Sequence, residues 1–219
     1  MQYPPSFTRH PGVVVDEASL TTGEFVVIGV PPRGAEPGDL ETKIGRRAVI
    51  RSHTVIYAGN VIGDDFESGH GVLIRERNEI GHRVRIGSHS VIEHHVVIGD
   101  DVRIHSAAFL PEYTVVESHC RIGPGAVLTN TRYPWSATAK ATMRGPHLET
   151  GAIIGANVTL LAAVRIGAAA LVGAGAVVVK DVPPGAVVVG NPARIVRSVR
   201  EIAAYRRANA GESGSDSSG

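Results

Sequence analysis

The chain has 219 residues, enough for one domain, with 26 glycines and only 5% aromatic residues. A net charge of +1 removes any reason to invoke nucleic acid or an anionic membrane surface, and the single cysteine, Cys120, cannot form an internal disulfide. No apolar run approaches the roughly 20 residues of a membrane span, and Met1 to Gly12 lack the layout of a secretory leader, so a cytoplasmic, reducing setting is expected.

Leu20 and Val26 share the phase of the apolar series described next. A first, irregular coil is therefore expected over residues 13 to 28, interrupted by the polar stretch Pro31 to Lys43. From Ile44 to Leu128 an apolar residue then recurs at nearly every sixth position: Ile44, Ile50, Ile56, Ile62, Ile74, Ile80, Ile86, Ile92, Ile98, Ile104, Leu110, Val116, Ile122 and Leu128, with Ser68 the one break. Four residues after most of them stands a small or β-branched side chain, among them Ala48, Thr54, Val84, Ser90, Ala108 and Cys120. A helix requires period 3.6 and a flat strand period 2, so period six predicts a solenoid of short parallel strands. Gly45, Gly63, Gly81 and Gly99 recur at intervals of 18, which predicts three hexads per coil and a triangular section. Cys120 falls on the inward column and is expected to be core.

After Leu128 the phase slips, and the pattern is picked up again from Ile154. The segment of about 129–153 contains Tyr133, Pro134, Trp135, Lys140, Arg144, Pro146 and His147 and reads as one external loop, a length that in compact domains is usually functional or disordered. Asp181 to Pro192, rich in proline and glycine, is expected to close a β-helix domain spanning 1–192. A helix is predicted over 193–208, with Ile195, Val199 and Ile202 on one face and Arg194, Arg197, Arg200, Arg206 and Arg207 mostly around it. Residues 209–219 read as a disordered tail.

Together with these hexads, GAGAVVVKDVPPGAVVVGNPARIV at 173–196 resembles the left-handed parallel β-helix acyltransferases, the hexapeptide-repeat family, in which GNPAR is a recurrent closing signature. VLTNTRYP at 127–134, followed by the loop and then by GAIIGANVTLLAAVRIGAAALVGAGAVV, is similar to the N-acetyltransferases of nucleotide-linked amino sugars. The resemblance covers about residues 44 to 200. It implies an all-β, left-handed β-helix that takes acetyl-CoA as acyl donor, without a metal. It also implies a homotrimer with an active site in each groove between subunits and an amino-sugar acceptor.

Small residues along such a groove, Ala162, Ala163, Gly173, Ala174 and Gly175, would let the pantetheine arm approach backbone amides. Asn157 is a further candidate contact, and Lys180, Arg194 and Arg197 are candidates for the coenzyme's phosphates. Residues 18 apart should stack on adjacent coils about 4.8 Å apart, which aligns Glu76, His94, Glu112 and Asn130. An imidazole between carboxylates is a plausible general base, and His94 in VIEHHVVIGD resembles the family's catalytic histidine. In the family Asp commonly follows that histidine. Here His95 stands there, which leaves Glu112 or Glu76 to orient His94. Asn130 joins His94 and Glu112 as a catalytic candidate, and His95, Glu76, His119, Tyr133 and Trp135 are candidate substrate contacts.

Blander readings stand beside these. Histidine columns also arise by accident in such a solenoid, as with His82 between Asp64 and Asp100, and Tyr133 and Trp135 are equally suited to covering exposed coil edges. Alternatives in other classes are a sugar O-acetyltransferase, a non-catalytic solenoid subunit, and a zinc enzyme. The last rests on His53, His89 and His94, whose spacing resembles that of hexapeptide-repeat carbonic anhydrases, although His53 and His89 are fourth in their hexads and His94 third.

Overall fold

The computed structural model describes residues 7–206; the expected tail at 209–219 and the last residues of the predicted helix lie outside the described residues. Each regular coil contributes three two-residue strands, as in Leu73–Ile74, Glu79–Ile80 and Arg85–Ile86. Each strand pairs in parallel with its counterpart 18 residues on, for example Leu73 with Val91 and Val91 with Phe109. The strands stack into sheets of nine, eight and ten members, which form the sides of a left-handed triangular β-helix of about ten coils. No helix of the described residues is long and apolar enough to cross a membrane.

The period-six rule follows from how each hexad is built. The second residue of each strand points into the prism, so Ile56, Ile74, Ile92 and Leu110 are fully buried, while the first faces outward. Three residues after the inward position the backbone turns through the left-handed region, as at His53, Asp65, His89, His95 and His119, with φ between 56° and 64°. The next residue is the small or β-branched one that fills the corner, such as Ala48, Val84 or Cys120. Burial pushes the Cys120 thiol up to about 11, in keeping with a core residue. Ser68 breaks the apolar series without leaving a polar atom orphaned: its hydroxyl lies 3.2 Å from Thr54 Oγ1 and accepts the Arg51 N–H.

The chain departs from the sequence-based expectations at three places. Val27 pairs with Val55, 28 positions on, so the polar insertion adds 10 residues to the regular 18 and shifts the hexad phase. Ile28 therefore takes the inward strand position, and Val26, buried as well, lies in the corner column with Leu20. The later insertion is shorter than expected. Val115 pairs with His147, 32 positions on, so the loop adds 14 residues, and His147–Leu148 is already a regular strand. Finally, Arg194–Ser198 is not helical but a strand antiparallel to Ala186–Val189, extending the ten-stranded sheet; a 3-10 turn, Val199–Glu201, and a short helix, Ala203–Arg206, follow. An unpaired sheet edge captures this segment despite its helical spacing, and Ile195 and Val196 stay exposed.

Candidate functional site

Three edges join the sheets. The first edge leads from the nine- to the eight-stranded sheet, the second from the eight- to the ten-stranded, and the third from the ten- back to the nine-stranded.

The first edge carries the column expected from the 18-residue rule. Its register runs Glu76, His94, Glu112 and Asn130, and the pairing of Leu128 with Leu160 and of Leu160 with Val178 continues it to Ala162 and Lys180. Glu112 is the hub. Its Oε2 accepts from Asn130 Nδ2 at 2.5 Å, and its Oε1 lies 3.5 Å from His94 Nε2. His94 and Glu112 are about one-quarter exposed, shielded enough to interact strongly but reachable from solvent. The other nitrogen of His94, Nδ1, is 2.7 Å from His95 Nδ1, and the Tyr113 ring closes the cluster at 6.1 Å from His94 and 5.6 Å from His95.

Glu76 is engaged differently. Arg75 grips it with two hydrogen bonds of 2.9 and 3.0 Å and also reaches Glu93. Burial opposes ionisation of Glu76, but the Arg75 guanidinium outweighs it and holds the carboxyl below its usual range. Glu112, not Glu76, is thus the carboxylate within reach of His94. His95 moves down from the ordinary imidazole value, first through burial, then through the neighbouring His94 and Arg77, with Glu76 opposing.

This edge is braced from below. Asn60 Nδ2 donates to the Tyr57 and Arg75 carbonyls, Asn60 Oδ1 accepts the Asn78 N–H at 2.9 Å, and Asn78 Oδ1 accepts the Val96 N–H at 2.7 Å. A buried asparagine ladder therefore fixes the turns that carry Glu76 and His94. Above the cluster, Asn130 O accepts the Arg144 N–H at 2.8 Å and closes the neck of the loop, and Arg132 reaches the Val179 carbonyl two coils beyond. Tyr133 and Trp135, in this loop, are 71% and 101% exposed and stack on no ring among the described residues.

The remaining candidates are dispersed. His119 lies on the second edge, 3.7 Å from Asp101. Asn157, Gly173 and Ala174 lie on the third edge with His53 and His89, so the zinc trio is not gathered within one chain; no group of three or more His, Cys, Asp or Glu among the described residues could hold a metal ion. Ala162 and Ala163 share the first edge with Lys180, whereas Arg194 and Arg197 belong to the closing strand of the opposite, ten-stranded sheet. Sequence reasoning missed Tyr113 and the asparagine ladder. The 18-residue rule that aligned His94 would have found Tyr113 stacked on His95.

Known proteins resemble this chain over parts of its length. A family model described as "Bacterial transferase hexapeptide (six repeats)" matches residues 79–112, a span that holds both His94 and Glu112. A 2,3,4,5-tetrahydropyridine-2,6-dicarboxylate N-acetyltransferase of Staphylococcus aureus (strain JH9) is 42% identical over 78 residues, 36% of this chain and 30% of the relative. The chain thus matches less than a third of that relative's length. Among solved structures, the UDP-N-acetylglucosamine acyltransferase of Francisella novicida is 22% identical, covering 91% of this chain and 73% of its own, with a TM-score of 0.45. A serine acetyltransferase of Neisseria gonorrhoeae is 29% identical over 58% of this chain and 41% of its own, with a TM-score of 0.40. The six-residue period, the three-sided coil and the match over 79–112 converge: those residues carry the bacterial transferase hexapeptide repeat within a β-helix.

Proposed function

We propose that the chain is an acetyl-CoA-dependent N-acetyltransferase of an amino sugar, nucleotide-linked, working as a homotrimer. The observation that carries this reading is the first-edge cluster, in which an imidazole pair is tied to Glu112 and Glu112 to Asn130 at the neck of an exposed loop. The pair His94–His95 accepts the proton that the sugar amine loses as its nitrogen attacks the thioester carbonyl. The tetrahedral intermediate collapses, the C–S bond breaks, and the thiol leaves with that proton. Near neutral pH an amine is already partly unprotonated, so base assistance is expected at the lower end of its usual range, about 10²-fold.

Two features support the assembly and the donor. The nine-stranded sheet presents an outward column of Val55, Leu73, Val91, Phe109 and Val127, then Thr159 and Val177, with no charged residue and only partly covered in one chain, whereas the ten-stranded sheet presents Glu67, Arg85, Arg103 and Arg121 between Val49 and Ile153. The apolar side suits packing against a copy of itself, and it borders the edge that bears His94. Along that edge Asn130, Ala162 and Lys180 follow the His94–Glu112 pair, a small-residue track ending in a cation four coils from His94, about 19 Å at strand spacing. Such a track suits an extended pantetheine arm with its phosphates near Lys180. Asn157, Gly173, Ala174, Arg194 and Arg197, on other sides of the prism, would serve the donor only from a neighbouring subunit.

The test is thiol release from acetyl-CoA against nucleotide-linked amino sugars and their hydroxyl counterparts, with sedimentation to read the oligomer. Release with an amino sugar and a trimeric species is the expected result. Release only with hydroxyl acceptors would make it an O-acetyltransferase, and none with any acceptor would overturn the reading.

A further inference from the structure

We propose that His95, through its outer nitrogen Nε2, is the general base of the first edge, and that His94 is a positioning residue between it and Glu112. This assignment rests on the acyl-transfer reading above and reverses the roles that the family resemblance implies for the two rings.

The hydrogen-bond wiring leads there. The two Nδ1 atoms are 2.7 Å apart, a distance at which one must donate a proton and the other present a lone pair. Glu112 decides which. Its Oε2 accepts from Asn130 and its Oε1 faces His94 Nε2, so a proton on that nitrogen is favoured and a lone pair there would oppose the carboxylate. With its proton on Nε2, neutral His94 offers a lone pair at Nδ1 and His95 donates its Nδ1–H. One imidazole lone pair in the cluster then stays uncommitted, at His95 Nε2, and no described residue hydrogen-bonds to it. His95 is also the more exposed residue of the two.

The surroundings suit a base that must be neutral to work. The groups around His95 are His94 and Glu76, with Glu112 behind His94, Arg77 one coil before, and the Tyr113 ring one coil on. Burial, His94 and Arg77 favour the uncharged ring, so it is ready to accept a proton at neutral pH. When His95 Nε2 takes the amine proton, the imidazolium keeps its Nδ1–H on His94, whose Nε2–H in turn faces the ionised Glu112. As the C–S bond breaks, His95 Nε2 returns the proton to the leaving thiolate, and the products are the amide and the free thiol.

Two measurements on the full chain test this. Imidazole ¹⁵N spectra at neutral to mildly alkaline pH, assigned with His94→Gln and His95→Asn, should place the proton of His94 on Nε2 and that of His95 on Nδ1. A proton on His94 Nδ1 would overturn the wiring. In thiol-release assays His95→Asn, a residue that tolerates left-handed backbone, should lower kcat about 10²-fold and remove the acid limb of the pH profile. His94→Gln should cost about 10-fold and keep that limb, shifted. Equal or reversed losses, or an unaffected His95→Asn, would overturn the assignment. Should the parent release no thiol with any acceptor, the acyl-transfer reading and the base role fall together, while the ring tautomers still decide the wiring.

Discussion

The first and second edges of this prism are built alike, and each holds a histidine between residues of the same 18-residue column, yet they use the arrangement differently. On the second edge His82 stands between Asp64 and Asp100, but its Nδ1 accepts the Asp64 backbone N–H at 3.0 Å and its own backbone N–H donates to Asp100 at 2.8 Å. Beside it runs an exposed ladder in which Arg47 clasps Asp65 and Arg83 clasps Asp101, each through two hydrogen bonds of 2.6 to 2.8 Å. Every charge there faces its opposite, and the ring is tied to the backbone. On the first edge His94 contacts only side chains and the neighbouring carboxylates have separate owners, Arg75 for Glu76 and Asn130 for Glu112. A stacked histidine can act as a base only where a ring lone pair is left uncommitted, and the His82 lone pair is taken by the Asp64 N–H.

Substitutions on the two edges should have different effects. The largest effect is expected on the second edge, where a Cβ at Gly63 would stand 2.7 Å from the Gly81 carbonyl carbon. Gly63→Val should cost about 3 kcal/mol in denaturant unfolding, because the obstacle is backbone that cannot rotate away. Glu112→Gln, on the first edge, should leave unfolding nearly unchanged and reduce thiol release about 10-fold, no more than the loss of His94, through which it acts. An unchanged rate would mean that the carboxylate does not orient the rings. Asn78→Ala removes the acceptor of the Val96 N–H and should lose about 1–3 kcal/mol, with a smaller fall in rate as the turn under His94 loosens.

The smallest effect is expected from the ladder. Arg83→Ala should leave thiol release as it is and change the melting temperature least of the set, since exposed pairs contribute little. Its pH dependence sharpens the contrast. Hydrogen bonds to Arg47 and Arg83 hold Asp65 and Asp101 below the ordinary carboxylate range. A depressed folded value means stability present above about pH 3.9 and lost as pH falls through the folded values. The melting temperatures of the parent and of Asp65→Asn with Asp101→Asn should therefore converge in acid and separate above it. A gap that persists at low pH would show that these side chains act through packing.

The regular part of the fold was legible in the sequence because one rule, an inward residue every sixth position, repeats for coil after coil and tolerates the single exception at Ser68. The insertions were not legible in the same way. Ten added residues before Lys43 shift the phase, yet Leu20 and Val26 are apolar enough to mimic the unshifted series; only the pairing of Ile28 with Ile56 exposes the change. Leu148 was hidden at the other insertion by the loop residues beside it. The C-terminal segment has helical spacing, but a vacant sheet edge offers backbone hydrogen bonds that local propensity cannot match. At the site, the 18-residue rule aligned His94, Glu112 and Asn130 correctly. It could not tell that Arg75 would claim Glu76, or which nitrogens of adjacent rings would meet, because both depend on side-chain torsions.

Asn130 has a further consequence. Its carbonyl holds the returning strand of the loop at Arg144 while its side chain anchors Glu112, so the 14 added residues leave and re-enter the prism at one point without disturbing the stacking on either side. Each coil contacts chiefly its neighbours, so the scaffold on either side does not register the length or composition of what is spliced between them. The loop is an interchangeable cassette. On the acyl-transfer reading, exchange of its sequence between Thr131 and Met143 changes the acceptor preference while the cluster of His94, His95 and Glu112 below is inherited intact.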